Sequence, residues 1–390
     1  MPESDDDEDQ GPEDRHEVAK VKDSHLGEQE VLKFGRTHGL SDYDTRFIAW
    51  LVRSHLVMSM TAQREDIDDP EVVQRFAERV GDQERLDNLY LLTVADMRGT
   101  SPKVWNAWKD RLLSRLYHAT TQALRRGFGA PVDLEARVAD IRAQTLALLP
   151  AGATRTLVEQ HWAHLEPEYF LRHDPEALAW HARSIAATSA AALPLVATRY
   201  EPTTGGTEVL MFTADRDQLF AVVTGGFDRM NLSIWDARIH TTRQGFALDT
   251  YVVLDHEAHP ITEPIALARL AEDMRTQLVT PKPGRDLANA RLPRTLKAFP
   301  IETAVRFSPA HDGRSTMLEV TAQDRPGLLY QVALALQHCA VRLLTAKIAT
   351  YGERAEDIFF VTDRLGEALD PRHQTCLSDQ IARRLRSAPR

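Results

Sequence analysis

The sequence has few cysteines, no long apolar run and no concentration of basic residues. Only two of its 390 residues are cysteines, Cys339 and Cys376, so we predict two reduced thiols that pack as small apolar side chains and no disulfide framework. No apolar run approaches the roughly 18 residues that a membrane-spanning helix needs. Lysine and arginine form only short runs such as Arg383-Arg384. These absences predict a cytoplasmic protein with neither a membrane nor a nucleic-acid partner.

The negative charge is concentrated at the start of the chain. Eight acids and one arginine among the first fifteen residues account for −7 of the net charge of −10. Residues 1–15 also contain proline and glycine but no aromatic residue, so they cannot offset the entropy of ordering their own backbone. We therefore predict a disordered acidic tail. The remaining chain is near neutral, and 43% hydrophobic residues suffice for two to four folded domains.

The second half of the chain contains an internal repeat. The segment that starts at Thr207 realigns about 109 positions later, as the pairs Arg216/Arg325 and Ala237/Ala346 show. After a predicted hairpin turn the offset falls to about 108, so that a segment from Asp249 matches one from Asp357. A fixed offset indicates a duplicated unit, and a turn tolerates the one-residue difference.

Each copy predicts a strand, a helix, two hairpin strands and a second helix. The apolar residues recur with period two in the strands and with a helical period after the first loop. This order favours a sheet with helices on one side, in the ferredoxin-like arrangement βαββαβ. The loop Asp324-Arg-Pro-Gly-Leu-Leu resembles the loop between the first strand and first helix of the ACT family, whereas Asp215-Arg-Asp-Gln-Leu-Phe lacks the glycine. The resemblance implies a domain that senses a small molecule.

Both loops lead into the amino terminus of a predicted helix. Unpaired backbone N–H groups and the helix dipole favour a carboxylate there, and Gly327 lets a ligand approach the backbone closely. A tight turn that serves only the fold explains the same loop. Two paired copies would add an interface cleft of the kind that ligands prefer. The candidate ligand contacts are Asp324, Arg325, Gly327, Asp215 and Asp217.

Residues 16–128 predict an all-α region with two polar residues on apolar helix faces. His55 follows Leu51 by four residues, and Asp96 follows Leu92 by four, so we predict that both side chains point inward. An inward histidine is commonly a hydrogen-bonded core residue. Burying an unpaired carboxylate costs several kcal/mol, so an inward Asp96 predicts a metal or a cationic partner.

Four segments of this region resemble the HD-type phosphohydrolase domain of the bacterial PII uridylyltransferase/uridylyl-removing enzymes. The connecting stretch is similar to the same family at Tyr169-Phe-Leu-Arg-His-Asp-Pro and Ala179-Trp-His-Ala-Arg. The resemblance extends from about residue 16 to the end, and its length and order make it specific. The four segments are THGLS (37–41), AWLVRSHLVMS (49–59), TAQREDIDDPEV (61–72) and LTVADM (92–97).

The resemblance implies a divalent metal, Mg²⁺ or Mn²⁺, held by His16, Glu17 and Asp96, with Asp96 and His55 as catalytic residues. His25 also matches a family histidine. Glu17 stands where the family has aspartate, and its extra methylene displaces the carboxylate from a ligand position that is set closely. A ligand-bearing helix and the nucleotidyltransferase domain of the family have no counterpart in the sequence. We therefore expect no uridylyl transfer and weak or absent uridylyl removal.

The sequence thus predicts an α+β multidomain protein, with an HD-type helical domain followed by two ferredoxin-like ACT domains. The implied function is glutamine sensing within an enzyme that acts on the PII signalling protein and controls nitrogen assimilation. Two alternatives stay open: a non-catalytic regulatory protein that binds an amino acid, and a truncated gene product. The predicted divisions after the tail are a helical domain (16–128), a helical connector (129–200), a first ACT domain (201–280), a proline-rich linker (281–300) and a second ACT domain (301–390).

Overall fold

The fold is that of a computed structural model, which describes most of the chain. The described residues are 12–65, 67, 69–100, 105, 107–127, 134–150, 152–202, 205–216, 218–283, 301–310, 313–348, 350–351 and 354–385; side chains are described except at 12–24, 100, 107–108, 153–154 and 350–351. The predicted tail lies outside this description up to residue 11, and so does most of the predicted linker.

The first half of the described chain is helical. A helical region contains α1 (Pro12–His38), α2 (Asp42–Ser54), α3 (Val57–Arg64), α4 (Pro70–Val80), α5 (Gln83–Thr100) and α6 (Ala107–Arg126). A connector contains α7 (Leu134–Ala147), α8 (Ala153–Trp162), α9 (Pro167–Leu171), α10 (Pro175–Ala186) and a 3₁₀ turn (Ala190–Ala192).

The second half contains two related repeat units. The first unit comprises β1 (Leu195–Glu201), β2 (Gly206–Ala214), α11 (Leu219–Arg229), β3 (Ser233–Arg238), β4 (Phe246–Leu254) and α12 (Pro264–Val279). The second comprises β5 (Ala304–Pro309), β6 (Thr316–Gln323), α13 (Leu328–His338), β7 (Arg342–Lys347), β8 (Thr350–Tyr351), β9 (Arg354–Thr362) and α14 (Pro371–Leu385).

Several helix starts follow from local chemistry. The side chains of Ser41, Asp69 and Asp174 each accept a hydrogen bond from a backbone N–H in the first turn of α2, α4 and α10. Proline occupies an early position of α4 and α10, where the missing N–H costs nothing. No helix in the described part of the chain is both long and apolar enough to cross a membrane.

The strands of both repeat units form one antiparallel sheet. Its order is β1-β2-β4-β3-β7-β9-β6-β5, and β8 pairs with β9 outside this path. The two units meet edge to edge where β3 pairs with β7, with Ala237 opposite Ala346. The two alanines belong to the repeat pairs predicted from the sequence. The structure therefore confirms the α+β class, a helical region followed by antiparallel sheet.

The order of strands within each unit differs from the predicted βαββαβ order. In each unit the outermost strand, β1 or β5, precedes the repeated segment and pairs with the first strand of it, so the order is ββαββα. Strand β1 starts at Leu195, inside the stretch predicted to be helical and ahead of the predicted division at 201. The repeat alignment begins at Thr207 and gives no signal for β1, whereas the segment 302–307 by itself predicts a short strand before the second copy, which β5 confirms.

Both faces of the sheet are covered. On one face, α11, α12, α13 and α14 pack on a core that includes Phe227, Tyr251 and Phe359. On the other face, Val252 of β4 belongs to the core of the helical region and Trp235 of β3 packs against it, while Leu210 and Leu248 belong to the core of the connector. The sheet thus joins all parts of the described structure.

The prediction of two reduced thiols is wrong for this structure. Cys339, at the end of α13, and Cys376, in α14, form a disulfide with Cα atoms 5.9 Å apart. The two cysteines lie 37 residues apart in sequence and come together only because α13 packs against α14. Spacing in the sequence carries no signal of such a pairing.

Gly206 provides a test of side-chain packing between β2 and β4. A β-carbon at this position would overlap Cγ1 of Val252 on the neighbouring strand. We expect Gly206→Ala to lower the free energy of unfolding by about 1–3 kcal/mol, because overpacking forces the neighbours to shift. In a Val252→Ala background the same change should cost less. Urea titrations measure both, and Gly99→Ala, which meets no atom, is the control. Equal costs in the two backgrounds would contradict this packing.

Candidate functional site

The two repeat-related loops occupy matching positions between a strand and a helix. Residues 215–218 connect β2 to α11, and residues 324–327 connect β6 to α13. The residue that precedes each helix has left-handed backbone geometry, with φ of 74° at Gln218 and 86° at Gly327. Neither helix is capped by a side chain. The backbone N–H groups in the first turn of each helix, together with the helix dipole, can therefore favour a carboxylate, as the sequence predicts.

The arginines of these loops each donate a hydrogen bond to the last helix of their unit. Arg216 donates to the backbone carbonyl of Leu278 near the end of α12, and Arg325 donates to that of Leu385 at the end of α14. A cation at the carboxyl terminus of a helix donates to a carbonyl that has no partner within the helix, and the negative end of the helix dipole attracts it. Arg325 was predicted as a ligand contact. The structure places it as a link between the loop and the last helix of its unit.

The acidic side chains of the two loops are on the surface. Asp215 accepts a hydrogen bond from Thr241 Oγ1 at 3.1 Å, and its N–H donates to the carbonyl of Gly245 at 2.9 Å. These bonds hold the first loop against the hairpin turn between β3 and β4. Asp324 is also exposed. Asp217 lies outside the described residues. The structure therefore places Asp324, Arg325 and Gly327 on one loop and Asp215 on the other.

A buried carboxyl lies beside the first loop and was not among the predicted site residues. Asp249 of β4 is 2% exposed, and it accepts hydrogen bonds from Tyr251 Oη at 3.2 Å and from the His240 N–H at 3.4 Å. Burial raises its pKa to about 7, although both hydrogen bonds act in the opposite direction. Its repeat partner Asp357 is 1% exposed. The matched pair of aspartates in two apolar strands was a signal that could have identified this position.

A cluster of buried histidines lies where the connector meets the first repeat unit. His181 Nδ1 lies 2.8 Å from Tyr169 Oη, and His173 Nδ1 lies 2.8 Å from the Tyr169 carbonyl. Burial lowers the pKa of His181 to about 3 and that of His240 to about 4. These rings are therefore neutral near pH 7, and they serve as packing and hydrogen-bonding groups of the joint.

The helical region contains the residues predicted for catalysis and metal binding. His55 follows α2 and is half-buried, with Nδ1 2.7 Å from the Val52 carbonyl. Asp96 of α5 is exposed, so the inward orientation predicted for it is wrong. The buried face of α5 is set by Leu89, Thr93 and Met97 instead. An exposed carboxylate keeps its hydration, so the argument that burial requires a metal partner does not apply.

The described donors do not form the predicted metal shell. The side chains of His16 and Glu17 lie outside the description, and His25 is exposed and 3.5 Å from Glu28. Among the described side chains, no group of three His, Cys, Asp or Glu residues is arranged to hold a metal ion. A structural divalent site requires such a convergent set of ligands. The predicted set of His16, Glu17 and Asp96 therefore stays a prediction, and no chemical step is assigned to a metal.

The fold and the candidate loops define a class: a protein in which a helical region is joined through a helical connector to two paired ferredoxin-like units. Comparison with known proteins gives the family. Residues 133–184 match the uridylyltransferase GlnD fifth domain. The bifunctional uridylyltransferase/uridylyl-removing enzyme of Nitrosococcus oceani is 40% identical over 376 residues, covering 94% of this chain and 42% of that protein. The chain is therefore homologous to a part of these bifunctional enzymes.

Further relatives carry the same name. The enzyme of Pseudomonas syringae pv. syringae is 41% identical over 381 residues, covering 95% of this chain and 42% of that protein. The enzyme of Methylococcus capsulatus is 41% identical over 362 residues, covering 91% of this chain and 41% of that protein. The chain thus spans about two fifths of the length of the curated relatives that it matches. No solved structure matches it.

The left-handed position before each first helix gives a matched test. Gly327 and Gln218 share this backbone geometry, which favours glycine over residues with a β-carbon. We expect Gly327→Gln to lower the free energy of unfolding by about 1 kcal/mol and Gln218→Gly to raise it by a similar or smaller amount. Denaturant titrations of both variants check this. Loss of stability in both would show that side-chain contacts of Gln218 outweigh its backbone strain.

The buried carboxyl of Asp249 gives a pH-dependent test. Its folded-state pKa lies above its unfolded value, so its contribution to stability is present at low pH and is lost as pH rises from about 4 to about 7. Asp249→Asn should remove this loss and raise the unfolding free energy near pH 8 by on the order of 1–3 kcal/mol. Exposed Asp273→Asn is the control. An unchanged slope of stability against pH in Asp249→Asn would refute the assignment.

Proposed function

We propose that this chain is the glutamine-sensing, regulatory part of a cytoplasmic uridylyltransferase/uridylyl-removing enzyme that acts on the PII signalling protein. Family membership over 94% of the chain is the observation that carries the proposal. The tandem of ferredoxin-like units supports it, because each unit presents an uncapped helix amino terminus beside an exposed loop. An amino acid is a ligand whose carboxylate suits this position.

The glutamine carboxylate would be bound by backbone N–H groups at the start of α13 or α11. The second unit is the better candidate, because Gly327 has no β-carbon between a ligand and the loop backbone, whereas Gln218 carries a side chain at the matching position. Asp324 or Asp215 would then attract the ammonium group of the ligand from the exposed side of the loop. Arg325 and Arg216 would act indirectly by fixing each loop to the last helix of its unit.

The first unit offers a continuous set of contacts from its loop to the connector. Asp215 is bonded to the hairpin turn through Thr241 and Gly245. In the same turn, the Arg243 guanidinium binds Glu166 of the connector with distances of 2.7 and 3.0 Å, and the Arg243 N–H donates to the His164 carbonyl at 3.1 Å. A change in the loop would therefore act on the connector through one short turn.

We expect the helical region to contribute little hydrolysis by itself. In the family resemblance, uridylyl removal depends on a metal shell that includes His16 and Glu17, and Glu17 stands where the family has aspartate. A purely regulatory role is the second candidate, favoured by the exposed position of Asp96.

Binding of glutamine to the whole chain tests the proposal. We expect heat on titration with L-glutamine, with a dissociation constant between about 1 μM and 1 mM, and no heat with D-glutamine. Gly327→Gln should weaken binding about tenfold or more, because its side chain covers the backbone N–H groups that would receive the carboxylate. Gln218→Gly should leave that affinity unchanged.

The calorimetry needs protein that is folded in each variant, which circular dichroism at the titration temperature establishes. A folded chain that gives no heat at millimolar L-glutamine would refute glutamine sensing. Equal weakening by Gly327→Gln and by a change in the first loop, such as Asp215→Asn, would instead show that both units bind.

A further inference from the structure

The second repeat unit contacts the helical region through charged groups. Arg64, at the end of α3, lies with Nη2 3.3 Å from Glu356 Oε2 on β9. Lys347 of β7 donates through Nζ to the carbonyl of Glu65, the residue that follows α3. Both contacts lie on the sheet face that is opposite to α13 and α14. The end of α3 is therefore held by side chains of two neighbouring strands.

Glu356 is the common anion of this contact. Besides Arg64, it binds Arg354 of its own strand, with Nε to Oε1 at 2.8 Å. Lys109 of α6 is 3% exposed, and its burial lowers its pKa to about 8 while the attraction of Glu356 opposes that shift. Two cations from the helical region and one from β9 thus surround one half-buried carboxylate. A small cavity of about 20 Å³ lies beside it, between α3 and β6.

The segment that Glu356 contacts is connected to the candidate catalytic residues. Helix α3 begins two residues after His55, and it is only eight residues long. The His55 carbonyl accepts a hydrogen bond from Thr93 Oγ1 at 3.4 Å, and Thr93 lies one turn before Asp96 on α5. A shift of α3 would therefore act on the position of His55 relative to α5.

The first repeat unit meets the helical region through apolar side chains as well as charged ones, since Arg115 of α6 and Asp236 of β3 line a common pocket. There, Val252 and Trp235 pack among apolar residues of the helical core. Apolar packing is non-directional and remains when a strand shifts slightly, whereas a charge pair at a half-buried surface depends on its geometry and on access of water. A small change in the second unit can therefore form or release the contact at Glu356.

We propose that Glu356 is a positioning residue through which the second repeat unit holds α3, and with it the segment of His55. The idea that this contact changes with glutamine rests on the proposed function, whereas the contact itself does not. Loss of the carboxylate would remove one negative charge from the surroundings of Lys109 and the ion pair that joins Arg64, at the end of α3, to β9. The expected result is a local loosening of α3, with the rest of the fold unchanged.

Amide hydrogen exchange of the whole chain tests the contact. We expect Glu356→Gln, which keeps the shape of the side chain, to speed exchange in residues 57–65 by about threefold or more. Exchange in α12, which packs against β1 and α11 of the first repeat unit, should be unchanged. Glu272→Gln is the matched control, because it removes an exposed ion pair with Arg275 on α12, away from the helical region.

A double-mutant cycle addresses the case in which Glu356→Gln perturbs folding. Arg64→Gln changes the other partner, which is more exposed and safer to replace. If the pair holds α3, the two single changes should speed exchange in residues 57–65 and the double variant should add little to either. Additive effects, or an unchanged rate in all three variants, would overturn the proposal.

Addition of glutamine separates the contact of Glu356 with α3 from the response of that contact to a ligand. In the wild-type chain, millimolar L-glutamine should alter exchange in residues 57–65, and Glu356→Gln should abolish this response while glutamine still binds by calorimetry. A response that persists in Glu356→Gln would overturn the role of this residue in transmission. If the wild-type chain binds no glutamine, the proposed function fails, whereas the ligand-free exchange rates still decide whether Glu356 holds α3.

Discussion

The pairing of β3 with β7 is the interaction on which the rest of the structure depends. It joins the two repeat units through backbone hydrogen bonds and through Thr345 Oγ1, which donates to the Ala237 carbonyl at 2.9 Å. The strand edges that meet here are buried, and unpaired backbone groups in such a place would cost as much as lost hydrogen bonds. Ala237 and Ala346 are fully buried, so the β3–β7 pairing has no room for larger side chains at these two positions. The pairing also sets α11 beside α13.

A sheet that is covered on both faces imposes a second constraint. Almost every residue of β4 is buried, because its helix-facing side chains lie in the repeat core and its other side chains lie under the helical region and the connector. Polar residues in such a strand need internal partners. Asp249 has Tyr251 and the His240 N–H, and its raised pKa shows that these partners do not fully replace water.

The two copies keep one fold but have diverged at the residue before the first helix and at the contact with the helical region. The same left-handed position holds Gly327 in one unit and Gln218 in the other. Charged groups at Glu356 connect the second unit to α3, whereas apolar groups at Trp235 connect the first unit to the helical core. Duplicated units can thus share a backbone while their loops and their contacts with the helical region differ.

The sequence by itself determined the local features and the family. Period-two and helical patterns and the repeat offset depend on neighbours in the chain, so they were readable without a structure. Only the tertiary structure decided which strand flanks each unit, that Asp96 faces solvent, that Arg325 links a loop to α14, and that Cys339 meets Cys376. Each of these depends on segments that are distant in sequence, and the relative rotation of packed elements, which no local pattern specifies, brings them together.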